Sequence, residues 1–156
     1  MKVDSAMTRD VICIESSESL SDAQEIMREW EIRHLPVMLD GHLIGIMSDR
    51  DVLRHAIKTD DDELVLPAIT VAEVMTRNPI TCDADADIAS IGQTMLDEKI
   101  DSVPVVDVDG DLVGLITSSD LIQMLVDRER MALGGPIPFS FKLHRSVRRT
   151  GAGIHG

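Results

Sequence analysis

Two stretches of the chain place an aspartate three positions after a hydroxyl residue: Ser48-Asp49-Arg50-Asp51 and Thr117-Ser118-Ser119-Asp120. Each follows a glycine and two apolar residues, Gly45-Ile46-Met47 and Gly114-Leu115-Ile116. A strand running straight into a helix would put the hydroxyl and the carboxylate at the helix start, beside backbone N–H groups and the positive end of the macrodipole. Such a corner suits a phosphorylated ribose. An ionised aspartate accepts hydrogen bonds from the two ribose hydroxyls, and Ser or Thr with helix amides suits a phosphate. The same spacing is also that of a capping box, whose only task is to satisfy orphan N–H groups. The motif by itself allows both readings, so the elements around it carry the argument.

Those elements come in duplicate. Ala6-Met7-Thr8-Arg9-Asp10-Val11-Ile12 returns 68 residues later as Val74-Met75-Thr76-Arg77-Asn78-Pro79-Ile80. At the same offset Met27 meets Met95, Ile32 meets Ile100 and Pro36-Val37 meets Pro104-Val105. A turn one residue longer in the second copy then shifts the offset to 69, aligning Gly41 with Gly110, Gly45 with Gly114 and Asp51 with Asp120. Agreement at turn, core and corner positions together marks a tandem duplication.

Each copy predicts the order β-α-β-β-α. A short strand at 11–14 or 80–82 precedes a polar segment rich in N-cap residues. Leu20, Ala23, Met27 and Trp30, repeated as Ile88, Ile91 and Met95, then recur at steps of three and four, the stripe of an amphipathic helix. A hairpin follows, 35–39 into 42–47 through Asp40-Gly41, and 103–106 into 112–116 through residues 107–111. The second helix starts at Ser48 or Thr117. The reading is an α/β (α+β) fold of two such repeats packed through their sheets, since neither alone buries enough surface. Repeat 1 covers residues 1–58, an acidic linker with Asp60-Asp61-Asp62-Glu63 covers 59–69, repeat 2 covers 70–127, and a tail with Gly, Pro and basic residues covers 128–156. Thr70-Val71-Ala72-Glu73 matches a capping box and predicts a short helix ending near Met75.

Composition narrows the function classes. Only Trp30, Phe139 and Phe141 are aromatic, so the core is aliphatic and a bound ring would lie between aliphatic side chains and backbone. The formal net charge is −13. From residue 127 on, six Arg or Lys stand against two acids, which leaves −17 on residues 1–126 and argues against nucleic-acid binding. No apolar run reaches the roughly 20 residues of a membrane span and the start lacks a signal-peptide core, so the expected location is the cytoplasm. Cys13 and Cys82 have neither a CxxC partner nor a His at metal spacing; they read as reduced core-strand residues with no metal site. No nucleophile elbow, HExxH, P-loop or paired Cys and His is present, and the chain is not expected to be an enzyme.

The Met-Thr turn, the apolar-Pro-Val strand and the Gly-apolar-apolar-Ser/Thr-x-x-Asp corner, all present twice and in order, resemble the CBS domain family, the cystathionine-β-synthase-type regulatory repeats. The resemblance covers about residues 3–126. It implies a pseudo-twofold pair of repeats with two related clefts that bind adenine nucleotides, and a disc-like homodimer. By position it implies that Asp51 and Asp120 take ribose hydroxyls and that Ser48 and Thr117 hold the ribose or first phosphate. The backbones of Val11-Ile12-Cys13 and Pro79-Ile80-Thr81 would meet the adenine edge, and Val37 and Val105 would line the ring pocket. Arg33-His34 before Pro36, and Arg50, would serve phosphates, with Arg9 and Arg77 as further candidates; in the second repeat Asp101-Ser102 and Ser119 stand at the matching places.

The expected function is thus a non-catalytic regulatory module that binds an AMP-, ADP- or ATP-like ligand, needs no cofactor and passes ligand state to a partner or to its own dimer. A structural scaffold with empty clefts, or a binder of NAD(H), S-adenosylmethionine or cyclic di-AMP, remains open from sequence. The tail, with Phe139-Ser140-Phe141 followed by Lys142, Arg145, Arg148 and Arg149, is either a flexible end, an arm for a neighbouring subunit or a strip that docks on an acidic protein partner.

Overall fold

The computed structural model describes residues 1–134 of the chain. They form two compact units, and the units do not follow the sequence repeats. One unit joins Ile12–Pro79; the other joins Met1–Val11 to the residues from Ile80 onward. We call them the first-repeat and second-repeat units.

In the first-repeat unit, β1 (Ile14–Glu15) is followed by α1 (Leu20–Glu29), β2 (His34–Leu39), β3 (His42–Ser48) and α2 (Asp49–His55). A small hairpin comes next, β4 (Ile57–Lys58) and β5 (Leu64–Val65), then α3 (Val71–Val74) and β6 (Thr76–Arg77). The second-repeat unit carries β7 (Cys82–Asp83), α4 (Ile88–Glu98), β8 (Ser102–Val106), β9 (Leu112–Thr117) and α5 (Ser118–Ala132), with a 3-10 turn at Val3–Ser5. The predicted β-α-β-β-α order is present in both. In each, the first strand pairs parallel with the second, which pairs antiparallel with the third: Ile14 faces Val37 and Val37 faces Gly45, while Cys82 faces Val105 and Val105 faces Gly114. Even the register shift is duplicated, falling between Val37 and Met38 and between Val105 and Val106. Asp40 and Gly41 both take positive φ (50° and 80°), the pair that a tight two-residue hairpin matched to strand twist requires.

The two cores are aliphatic. Leu20, Ala23, Leu35, Val37 and Met47 sit with Val71 and Met75 in one; Val103, Val105, Ile116, Ile91 and Met95 sit with Val3 and Met7 in the other. The last-named pairs come from segments that precede the opposite repeat in sequence. Residues 1–9 pack on repeat 2, and residues 69–77 pack on repeat 1. The hydrogen bonds match one for one. Val71 N donates to Glu18 O and Ala72 N to Ser16 O, as Val3 N does to Ala86 O and Asp4 N to Ala84 O. Thr76 pairs with Ile46, and Thr8 exchanges both backbone bonds with Leu115 at 2.8 and 2.9 Å. This crossing explains why the glycine that opens each corner run is a glycine. A Cβ on Gly45 would stand 2.5 Å from Met75 Sδ and 3.0 Å from Thr76 O; one on Gly114 would stand 2.6 Å from Met7 Sδ and 3.1 Å from Thr8 O.

Three stretches differ from the sequence reading. The first strands begin later than 11 and 80, because Val11 N turns back to Arg9 O and Pro79 has no N–H to offer a ladder. The acidic linker is not bare coil but carries the β4–β5 hairpin, closed by Thr59 N to Glu63 O at 2.8 Å and a Lys58–Asp62 ion pair at 2.8 Å. Helix α5 runs past residue 127 to Ala132, since Arg128-Glu129-Arg130-Met131-Ala132 are all strong helix formers, and it stops where Gly134 takes a φ of 69°. The aromatic and basic residues of the tail lie outside the described residues.

A side chain at either crossing must displace backbone as well as a methionine. Gly45→Val and Gly114→Val are each expected to lower the unfolding free energy by about 1–3 kcal/mol. Urea denaturation of the two variants checks this, and hydrogen exchange shows which sheet each variant loosens.

Candidate functional site

Both predicted corners form. At the first, β3 ends at Ser48, whose extended backbone (φ −126°, ψ 169°) makes it the N-cap of α2. Asp51 Oδ2 accepts from Ser48 N at 2.8 Å and from Ser48 Oγ at 3.2 Å. At the second, Asp120 Oδ2 accepts from Thr117 N at 2.9 Å and Thr117 Oγ1 at 3.0 Å, and Asp120 N donates back to Thr117 Oγ1 at 3.3 Å. Both motifs are complete capping boxes. So are Ser19 with Asp22 and Thr70 with Glu73, at helix starts for which the sequence suggests no ligand.

The cap fixes what each group has left to offer. The hydroxyl protons of Ser48 and Thr117 are committed to the carboxylates, so toward a ligand Ser48 is an acceptor and suits a ribose hydroxyl better than a phosphate. The first helix amides are used as well: Asp49 N donates to Arg33 O at 3.0 Å and Ser118 N to Asp101 O at 2.9 Å. The expectation of free amides at the corner therefore does not hold for these positions. Asp51 retains its second oxygen, Oδ1, which meets Arg54 at 3.6 Å. Arg54 is 71% exposed, and so open an ion pair is worth little, so hydroxyls of a ligand can replace it at small cost.

The strand before each corner fastens a second pair of residues to it. His34 faces Ser48 across the β2–β3 ladder, and Arg33 is tied through its carbonyl. In the second-repeat unit Ser102 faces Thr117 and Asp101 is tied in the same way. The first corner thus gathers Arg33, His34 and Arg50, with both arginines exposed; the second gathers Asp101, Ser102 and Ser119 at the matching positions. Arg9, which follows the Thr8 that pairs with Leu115, forms an ion pair with Asp4, and exposed Arg77 pairs through its backbone with Gly45.

The residues assigned to an adenine ring divide in another way. Val37 and Val105 are 0% exposed and belong to the two cores, presenting no surface to solvent in this structure. Val11 and Ile12 are buried, whereas Ile80 is 41% exposed and Thr81 is exposed. The chain passes from one unit to the other between Val11 and Ile12 and again between Pro79 and Ile80, inside both triplets. Cys13 and Cys82 are both reduced, and burial, helped by the Asp83 carboxylate, pushes the pKa of the Cys82 thiol up to about 11. Among the described residues no group of His, Cys, Asp and Glu could hold a metal ion, and no helix is long and apolar enough to cross a membrane. Sequence reasoning missed Arg54. Its signal was the i+3 spacing from Asp51 on a helix.

Caps of this kind have a measurable signature. Ser48→Ala and Thr117→Ala should each lower stability by about 1 kcal/mol. At the other helix starts, the Ser19 hydroxyl and amide hold Asp22 below the usual carboxylate range, as the Thr70 amide and hydroxyl do for Glu73. A folded-state pKa below the unfolded one adds stability above the unfolded value, and that stability is lost as the pH falls through the folded one. The urea midpoint should therefore hold steady near neutrality and fall below about pH 4. Ser19→Ala should flatten that fall, read as midpoint against pH.

A family model described as "CBS domain" matches residues 3–58 and 71–127. Inosine-5'-monophosphate dehydrogenase of Korarchaeum cryptofilum is 32% identical over 120 residues, which are 77% of this chain and only 23% of that enzyme. The curated relatives at this level are thus far longer than the stretch they share with this chain. Among solved structures, the CBS domain pair of protein MJ0100, crystallised with 5'-methylthioadenosine and S-adenosyl-L-methionine, superposes with a TM-score of 0.71 at 28% identity, covering 82% of this chain and 98% of that one. CBSX2 in complex with AMP gives 0.69 at 26% identity, covering 83% and 98%. With both repeats matched by the family model and the same tandem fold in these structures, the chain belongs to the CBS domain family as a tandem CBS pair.

Proposed function

We propose that the protein is a non-catalytic regulatory module whose two strand–helix corners each take the ribose of an adenosine-bearing ligand. The observation that carries this reading is the carboxylate at the first corner. Asp51 is anchored by one oxygen to its cap and presents the other to an exposed arginine at the surface. An anchored carboxylate accepts a ribose diol without the entropy cost of ordering a mobile side chain. Adenosine is the part common to AMP, 5'-methylthioadenosine and S-adenosyl-L-methionine, the ligands of the two related CBS pairs.

The charge around the corners supports different ligands for each. With the first helix amide, Asp49 N, spent, a phosphate at the first corner draws on Arg33, His34 and Arg50. The second corner offers none of these cations and adds Asp101, so it favours an adenosyl ligand that lacks phosphate. Self-association belongs to the same reading. Along α5 and at its C-cap, Ile122, Leu125 and Leu133 are 62%, 59% and 86% exposed, and a second copy is the partner expected to cover them.

A second reading has an observation of its own. At all four Ser/Thr-capped helix starts the carboxylate three residues on accepts from the cap amide and the cap hydroxyl, so the two corners satisfy local needs with no ligand at all. A thermal-shift and calorimetric series with AMP, ATP, 5'-methylthioadenosine and S-adenosyl-L-methionine separates the two. A ligand at a hundred times its Kd adds about 2.7 kcal/mol. Asp51→Ala is expected to weaken AMP or ATP at least tenfold, and Arg33→Glu to do so without changing the unphosphorylated ligands; Asp120→Ala should act on the latter. Wild-type affinity in both aspartate variants, or no binding by any compound, would leave the scaffold reading. By sedimentation, Ile122→Glu with Leu125→Glu should shift the protein to monomer.

A further inference from the structure

At the first corner the chain's own arginine holds the carboxylate oxygen that a ribose would use. Asp51 gives Oδ2 to its cap, and its Oδ1 meets Arg54 Nη1 at 3.6 Å. That length makes the contact an ion pair without a hydrogen bond, whereas the hydroxyls of a diol donate to a carboxylate from about 2.7 Å. A diol therefore wins Oδ1, but only by releasing the guanidinium.

The fate of the released cation depends on the ligand. Arg54 stands four residues after Arg50 on α2, so the two lie one turn apart on the same face of the helix, and both are exposed. Like charges at this spacing repel, and the pairing with Asp51 offsets that repulsion. A phosphate beside Arg50 would offset it again once the diol has taken Asp51. An unphosphorylated nucleoside would not.

The second corner is built otherwise. Gln123 stands at the place that matches Arg54, 69 residues on; it is uncharged, and its Nε2 donates to Asp127 Oδ1 at 2.8 Å, one turn further along α5. In the first repeat the residue that matches Asp127 is Lys58, a cation engaged with Asp62, and Arg54 turns back to Asp51.

We infer that Arg54 sets the ligand selectivity of the first corner: it holds Asp51 Oδ1 against any ribose and favours nucleoside phosphates, whose phosphate takes the guanidinium that the diol releases. The inference rests on the reading that Asp51 binds a ribose diol, and it adds the residue that chooses between a nucleoside and its phosphate. An ion pair this exposed is worth at most about a fivefold change in affinity, so Arg54 biases the choice without closing the site.

Titrations of the full chain with adenosine and with AMP, followed by NMR at the Ser48 and Arg50 amides, read this corner by itself. Arg54→Gln is expected to tighten adenosine about two- to fivefold and to weaken AMP by a similar factor, so that the preference for AMP falls about tenfold. Arg54→Lys keeps the charge and should keep most of the preference. Raising the salt to about 0.5 M should tighten adenosine in the wild type and leave it unchanged in Arg54→Gln, a response that a purely structural role for Arg54 does not produce. If Asp51→Ala loses binding while Arg54→Gln leaves the ratio of AMP to adenosine affinity as in the wild type, the role of Arg54 is overturned and the ribose reading stands. If the wild type binds neither compound, or Asp51→Ala binds both as the wild type does, the two fall together.

Discussion

The passage of a backbone segment over a glycine, once in each sheet, is the constraint on which the rest of this structure depends. Met75-Thr76 crosses Gly45 and Met7-Thr8 crosses Gly114 so closely that no Cβ fits under either. That approach lets Thr76 and Thr8 bond to the third strand of a repeat, and it seats Val71 with Met75 and Val3 with Met7 in cores that would otherwise be open on one side. Each unit of the fold is therefore completed by a segment that precedes the other repeat. The Met-Thr motif and the corner glycine are duplicated together because each is half of one contact.

That contact lies next to the candidate site. The strand held down at Gly45 ends at Ser48, three residues on, and the strand held at Gly114 ends at Thr117. A strand fixed at this point delivers the N-cap residue in extended backbone, which directs its carboxylate partner three positions later back onto the cap. The carboxylates are therefore pre-positioned by the fold and not by any ligand. Burial is shared out consistently with this: Val37 and Val105 serve the cores, Ser102 is buried, and Ser48, Asp51, Thr117 and Asp120 are half-buried.

Duplication fixed the frame and then left the two corners free to diverge. Backbone features agree at matched positions, including the register shift, the parallel first strand and the tie from the first helix amide to the carbonyl of the residue just before the strand that carries the Pro-Val pair: Arg33 in one repeat, Asp101 in the other. Side chains at those same places differ in sign. Because the backbone hydrogen bonds do not depend on side-chain charge, an arginine and an aspartate occupy the same tie at no structural cost, and the electrostatics of each corner can change without changing the fold.

The sequence alone determined the tandem repeat, the order of elements in each copy and the two Ser/Thr–Asp corners, because each of these is written locally: a 3.6-residue stripe along α1, a two-residue Asp-Gly turn, an i to i+3 cap. It also placed Arg33, His34 and Arg50 near the first corner through their neighbours in the chain. What it did not contain was the exchange of segments 1–9 and 69–77 between repeats, the commitment of the corner amides and hydroxyl protons, or the pairing of the linker into β4 and β5. Those depend on which of two nearly identical surfaces a segment meets. Local propensity is the same for both surfaces, so only the tertiary structure, through packing at Gly45 and Gly114, decides between them.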